Sequence, residues 1–166
     1  KEENRKYKNA VFKLPTRMQW FSAAFGFMDG HHDKFPWGDT YDREPNGNLR
    51  ANFRHIPQIA ITMDSTGKNF AVNTDLIFDK FSVPGYKDGV GFVDILTPAI
   101  SYLPNEQGIY NLAGNAEEFV LEKGITKGGS WYDTGYYMIN SVEQNYDTTN
   151  SASIERGFRF VMEIVK

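Results

Sequence analysis

The chain has 166 residues, 40% of them hydrophobic and 15% aromatic, which is enough for one domain with a buried core. A formal net charge of −3 with scattered lysines argues against nucleic acid as a partner, because counterion displacement needs clustered Lys and Arg. The absence of cysteine excludes disulfides and thiol chemistry here, and the absence of any run of about 18 apolar residues excludes a membrane-spanning segment but not a removed signal or a lipid anchor.

The N-terminal part of the chain contains one well-marked helix. Residues 1–13 begin with charged residues and lack apolar periodicity, so we interpret them as a solvated lead-in or a proteolytic boundary. Thr16 and Gln19 have capping-box spacing, which predicts a helix start. Gly26 stands where a left-handed C-terminal residue belongs. Because apolar residues between these signals recur close to helical spacing, we predict an amphipathic helix over 17–25.

The rest of the chain has the composition of short strands separated by long loops. Gly, Pro, Asp and Asn are dense between residues 27 and 54, which predicts irregular backbone. One helix among short strands indicates an α+β, loop-rich fold. Short strands are predicted at 59–63, 70–72, 118–121, 127–131 and 154–164, with a turn at 66–68.

Five short motifs stand in a fixed order between residues 14 and 159. The longest is PNEQGIYNLAGNAEEF at 104–119, which resembles the pattern P-N-x-x-G-L-Y-(D/N)-(M/I)-x-G-N-(V/A)-W-E-W. The other four are LPTRMQW at 14–20, FPWGD at 35–39, GGSW at 128–131 and GFR at 157–159. Together the five motifs resemble the formylglycine-generating enzyme, or sulfatase-modifying factor, family.

This resemblance implies a sulfatase-modifying-factor fold, which is C-type-lectin-like, irregular and stabilised by calcium. The family carries further strands before its L-P-T motif, so residues 14–166 would be the C-terminal part of such a domain. The segment 57–86 is longer than its family counterpart, and we interpret it as an insertion.

The resemblance also identifies what replaces the family's catalytic cysteines. Those two cysteines follow G-G-S-(W/Y), hold copper and activate oxygen. Their positions fall on Asp133 and Met138 in this chain. A carboxylate and a thioether cannot substitute for two thiolates, which Cu(I) selects. We therefore expect no copper and no enzyme activity of this kind, with an unrelated chemistry on the same fold as the remaining enzymatic alternative.

Two calcium sites are implied by the family pattern. Calcium takes about six to eight oxygen ligands, which side chains and turn carbonyls can supply together. At the first site the alternative is an ordinary Gly-Asn turn with a solvated Glu118, and at the second Asp94 rivals Asp88. The first set is the Asn111 side chain, the Gly114 and Ala116 carbonyls and the Glu118 carboxylate; the second is Asn52, the Phe53 carbonyl, Asp88 and the Val90 carbonyl.

Other polar residues favour structural interpretations. His31, His32 and Asp33 are adjacent while His55 lies apart, so a solvated loop is the better interpretation than a metal site. Arg159 in the GFR motif is interpreted as a buried arginine that ties loops together through its five donors.

The segment after the GGSW motif is rich in Tyr and Asn, a composition typical of binding surfaces. We predict that Tyr132, Tyr136, Tyr137 and Asn145 bind a partner. An aromatic core layer with a polar loop is the alternative. The family keeps its substrate groove in this region, which favours the binding interpretation.

Within the family, residues 128–137 resemble the pattern G-G-S-W-x-D-x-x-Y-Y of cysteine-free lipoproteins in Bacteroidota gliding motility and type IX secretion. This implies a non-catalytic structural or partner-binding domain with protein partners in a membrane-associated assembly. The implied location is exported, in the periplasm or at the outer membrane. The alternative is a ligand-binding C-type-lectin-like receptor, such as a diversity-generating retroelement variable protein. Adenine-rich codons at 132–150 would support this alternative.

Overall fold

In the part of the chain that the structure describes, one α-helix combines with short strands in three separate sheets. The structure is a computed structural model that describes residues 10–26, 33–54, 61–72, 96–149 and 152–164. In chain order its elements are β1 (Ala10–Lys13), α1 (Arg17–Phe25), β2 (Ile61–Met63), β3 (Phe70–Val72), β4 (Glu117–Phe119), β5 (Ile125–Lys127), a 3₁₀ helix (Gly135–Met138), β6 (Gln144–Asn145), β7 (Arg156–Phe158) and β8 (Val161–Ile164).

The largest sheet has four strands in the order β6-β5-β4-β7. Strand β4 pairs antiparallel with β5 and parallel with β7, and β5 pairs antiparallel with β6. The two other sheets are the antiparallel pairs β1-β8 and β2-β3. The mixed, loop-rich fold predicted from the sequence is therefore confirmed. No helix in the described ranges has both the length and the apolar character needed to cross a membrane.

Helix α1 begins and ends at the predicted residues. The Thr16 hydroxyl accepts from the Gln19 amide at 3.1 Å, and the Gln19 side chain accepts from the Thr16 amide at 2.9 Å, which completes the capping box. Gly26 has a positive φ of 70° as predicted, but its ψ of −151° lies outside the left-handed helical region. The helix buries Trp20 and Phe25 on one face.

Two apolar clusters form the core of the described residues. Adjacent residues of one loop belong to different clusters. Leu112 lies in the cluster built on the helix, whereas its neighbour Ala113 lies in the cluster of the loop region. This link fixes the loop on both sides. The first cluster contains Trp20, Ala24, Phe25, Leu112 and Val120; the second contains Phe35, Leu49, Ala51, Phe53, Ala113 and Met138.

The strand predictions need three corrections. The strand predicted at 127–131 ends at Lys127, because Gly128 and Gly129 have φ values of 90° and 67° that no extended strand accommodates. The strand predicted at 154–164 is two strands, since the chain leaves β4 after Phe158 and pairs with β1 from Val161. Only residues 117–119 of the region around 118–121 are a strand.

Ala10–Lys13, the last residues of the segment interpreted as a lead-in, form β1. Lys13 makes an ion pair with Glu163 of β8 at 2.6 Å. Residues 1–9 lie outside the described residues. Of the proposed insertion 57–86, only residues 61–72 are described. They contain the hairpin β2-β3, with an Asx-type turn at Asp64. Hydrogen bonds from Thr66 and Asn69 lower the pKa of the Asp64 carboxyl group to about 2.

Gly128 shows why the GGSW motif begins with glycine. Its φ is 90°, and a Cβ at this position would lie 2.5 Å from the Leu112 carbonyl oxygen and 3.2 Å from the Trp20 ring. The Gly128 carbonyl accepts from the Gly114 amide at 2.8 Å, so the backbones of the two loops are in direct contact. A side chain would force them apart.

We predict that Gly128→Ala destabilises the fold by at least about 2 kcal/mol more than Gly47→Ala, because overpacking adds to the strain of a positive φ. Gly47 is a matched control: its φ is 89°, and a Cβ at this position would have no atom within 4 Å. Urea unfolding of both variants measures the difference. Equal losses would show that backbone strain alone explains the glycine and that the close approach is unimportant.

Candidate functional site

Two adjacent glutamates on β4 point to opposite sides of the sheet, as successive strand residues must. Both are buried, Glu117 with 3% and Glu118 with 6% exposure. The Glu117 carboxylate accepts from Arg156 Nε at 2.6 Å and from the Thr126 hydroxyl at 2.5 Å. This side of the sheet therefore holds its buried negative charge with an arginine from β7.

Glu118 is held by a second arginine and by the helix. Its carboxylate accepts from Trp20 Nε1 at 2.8 Å and from Arg159, whose Nη2 lies 2.6 Å away. Arg159 also donates to the Tyr110 carbonyl at 3.0 Å. The alternative of a solvated Glu118 is wrong. Arg159 ties the Tyr110 loop to β4 as predicted, but its side chain is 28% exposed rather than buried.

The loop before β4 depends on asparagines in a left-handed conformation. Asn111 and Asn115 have φ values of 50° and 66°. The Asn115 side chain accepts from the Thr97 amide at 2.8 Å and from Asn52 Nδ2 at 3.3 Å. The Asn115 amide donates to the Asn52 carbonyl at 2.7 Å. Asn52, predicted for the second calcium site, therefore supports the loop that was predicted to form the first.

Three of the four ligand positions of the first predicted calcium site line one open cleft of about 490 Å³: Asn111, Ala116 and Glu118. The Asn111 Oδ1 atom is buried without a hydrogen-bond partner, while its Nδ2 donates to the Pro98 carbonyl at 3.2 Å. A buried, unsatisfied oxygen on a residue that lines the same cleft as Glu118 fits a hard cation. Gly114 does not line the cleft.

The second predicted calcium site cannot be assembled from what is described. Asn52 and Phe53 are both buried, whereas Asp88, Val90 and the rival Asp94 lie outside the described residues. His31, His32 and His55 also lie outside them, and Asp33 is exposed. Within the described part of the chain, no group of three or more His, Cys, Asp or Glu side chains could hold a metal ion.

The two residues at the predicted cysteine positions are built into the scaffold. Asp133 accepts from the Ser130 amide at 2.8 Å and from the Ser130 hydroxyl at 2.6 Å, which closes a tight turn. Met138 has no exposed surface and packs in the loop-region cluster. Asp133 is partly buried, whereas Met138 is completely buried.

The tyrosines after the GGSW motif are exposed to different degrees. Tyr132 is 52% and Tyr136 61% exposed, which rules out the alternative of an aromatic core layer for these two. Tyr137 is partly buried, and its ring contacts that of Tyr136 with centroids 5.3 Å apart. Asn145 is exposed on the edge strand β6, and no hydrogen bond among the described residues joins it to the tyrosines.

Sequence reasoning missed two cations next to this segment. The Arg54 guanidinium lies 5.3 Å from the centroid of the Tyr132 ring. Lys127 is buried and donates to the carbonyls of Asn140 and Val142 at 2.6 and 2.8 Å, and desolvation lowers its pKa to about 8. The nearest feature noted in the sequence is the predicted calcium-ligand pair Asn52-Phe53, which directly precedes Arg54.

Taken together, the fold and the site define a loop-rich α+β domain held by buried glutamate–arginine pairs and carrying an exposed tyrosine segment. Residues 2–164 match the sequence profile of the sulfatase-modifying factor enzyme 1-like domain, and the chain belongs to this family.

The comparison with curated proteins identifies relatives at low identity. The chain is 24% identical over 153 residues to the formylglycine-generating enzyme of Thermomonospora curvata, covering 90% of this chain and 38% of that protein. It is 25% identical over 151 residues to the formylglycine-generating enzyme of Streptomyces coelicolor, covering 87% of this chain and 35% of that protein. The chain thus spans well under half the length of these relatives.

Proposed function

We propose that this chain is a non-catalytic structural or partner-binding domain of the sulfatase-modifying factor family. The observation that supports this most directly is the scaffold role of Asp133 and Met138. One closes a turn with Ser130 and the other is completely buried. With no thiol in the chain, the positions that resemble the family's cysteine pair serve packing and hydrogen bonding instead.

The finer proposal is a component of a gliding-motility or type IX secretion assembly, exported to the periplasm or the outer membrane. It rests on residues 128–137, whose sequence resembles that of the cysteine-free lipoproteins of those systems. Exposed Tyr132 and Tyr136 in this segment suit a protein partner, because tyrosine supplies large contact area with little conformational freedom to lose.

A ligand-binding receptor of the diversity-generating retroelement kind is the second candidate. The exposure of the tyrosines and of Asn145 after the GGSW motif favours it, since such receptors vary a Tyr, Asn and Asp face. The gene distinguishes the two candidates. Adenine-rich codons clustered at 132–150 with a template repeat nearby would support the receptor, and their absence would support the assembly component.

We predict no conversion of cysteine to formylglycine, because this chain offers no thiolate to hold copper. The protein is incubated with a Cys-x-Pro-x-Arg peptide, copper and oxygen, and the peptide is analysed by mass spectrometry. The formylglycine-generating enzyme of Streptomyces coelicolor serves as the positive control. Appearance of the aldehyde with this chain would overturn the non-catalytic proposal.

We predict that Tyr132→Ala combined with Tyr136→Ala weakens partner capture from the native membrane fraction by about tenfold or more, because central interface tyrosines often contribute roughly 2 kcal/mol or more. Tyr41→Ala is the matched control, since Tyr41 is 73% exposed elsewhere on the surface. Quantitative mass spectrometry compares the three samples. Thermal melting should show all variants folded, and undiminished capture by the double variant would contradict a tyrosine interface.

We further propose that calcium binds at Asn111, Gly114, Ala116 and Glu118 and has a structural role. Calcium should then raise the melting temperature over that in EGTA, by roughly 5–10 °C at a hundredfold excess over Kd. Asn111→Gly should abolish this difference, because glycine tolerates the φ of 50° but removes the buried oxygen. Differential scanning calorimetry measures both.

Thr16→Ala is the control for this calcium experiment. It removes the hydroxyl that caps α1, so it should lower stability while the calcium-dependent difference remains. A wild-type melting temperature that is the same in calcium and EGTA would reduce the motif to a Gly-Asn turn held by the Arg159–Glu118 pair.

A further inference from the structure

Arg54 differs from four other arginines of the described residues, because no described carboxylate forms an ion pair with it. Four other arginines in the described ranges hold carboxylates: Arg17, Arg50, Arg156 and Arg159. Arg54 makes no ion pair with any residue that the structure describes, and its Nε atom is buried without a hydrogen-bond partner. A buried N–H donor without an acceptor carries a free-energy cost that an incoming acceptor would relieve.

Asp133 is bonded to Arg54 through the backbone and not through its carboxylate. The Arg54 amide donates to the Asp133 carbonyl at 2.8 Å, which fixes the backbone of the two segments together. The Asp133 carboxylate itself accepts from Ser130. The backbone contact therefore holds Arg54 beside the turn that carries Tyr132.

Aromatic packing holds the guanidinium group in place. It lies 5.3 Å from the centroid of Tyr132, within the range of a cation–π contact. The Tyr132 ring is in turn held by Trp131 in an edge arrangement, with centroids 5.5 Å apart. Because stacking uses the face of a guanidinium group, a planar, two-oxygen acceptor would approach Arg54 at its N–H edge.

We propose that Arg54 and Tyr132 form a carboxylate-binding site for an Asp or Glu side chain of the protein partner. This rests on the proposed partner-binding function and adds the chemistry that the tyrosine surface recognises. One guanidinium group beside the Tyr132 ring matches the single charge of a carboxylate, whereas a phosphate dianion generally recruits further donors. Arg and Tyr are also the residue types that most often dominate interface energetics.

The site can be tested with two capped peptides that differ in one group, acetyl-Gly-Ser-Glu-Ser-Gly-amide and its Gln counterpart. Binding is followed by NMR at the Arg54 Nε–H and the Trp131 indole N–H. We expect saturable shifts with the Glu peptide and affinity weaker by about tenfold or more for the Gln peptide, as loss of a charge-assisted hydrogen bond predicts.

Two variants and one further ligand complete the test. Arg54→Gln should abolish Glu-peptide binding at the Trp131 signal, whereas Lys123→Gln, which removes an exposed charge elsewhere, should leave it unchanged. Tighter binding of inorganic phosphate than of the Glu peptide would overturn the carboxylate assignment. Equal binding of both peptides would overturn it as well.

The outcome separates this site from the proposed function. If Arg54→Gln binds the Glu peptide normally while the Tyr132 and Tyr136 double variant still loses its partner, the carboxylate site is wrong and the tyrosine interface stands. If that double variant keeps its partner, the proposed interface itself is wrong, whatever the peptides show.

Discussion

Neutralisation of two adjacent buried glutamates is the constraint on which the fold depends. Glu117 and Glu118 lie on opposite sides of β4 and each requires its own arginine, Arg156 and Arg159. Removing one partner of a buried ion pair typically costs about 3–5 kcal/mol, because the remaining charge is left without compensation. The C-terminal segment must therefore lie parallel to β4 with both arginines in place, and the short strand pairing follows from this requirement.

Side chains rather than extended sheets satisfy much of the remaining backbone. Asn105 accepts from the amides of Gln107 and Ile109 through Oδ1 and donates through Nδ2 to the carbonyls of Ala23 and Ala24. Those carbonyls belong to the last turn of α1, where helical partners are missing. One asparagine thus closes a turn and caps a helix, which explains how a loop-rich chain can bury its backbone.

Features that depend on residues close together in the sequence could be predicted, whereas those that depend on distant residues could not. The helix was predicted to the residue because the Thr16–Gln19 capping box is local. Strand β1 was missed because its partner lies at the opposite end of the chain, where Glu163 is 150 positions after Lys13. The Arg54–Tyr132 contact was missed for the same reason, and the exposure of Tyr132 depends on tertiary packing that spacing alone does not encode.

The residues at the predicted cysteine positions also brace the tyrosine segment from both ends. Asp133 fixes the turn that carries Tyr132. Met138 is packed in the core and anchors the 3₁₀ helix, on which Tyr136 also lies. Fixing the backbone of one residue costs roughly 1–2 kcal/mol, a cost that a segment already ordered does not meet again on binding. The residues at the predicted cysteine positions therefore also pre-organise the surface that we propose for a partner.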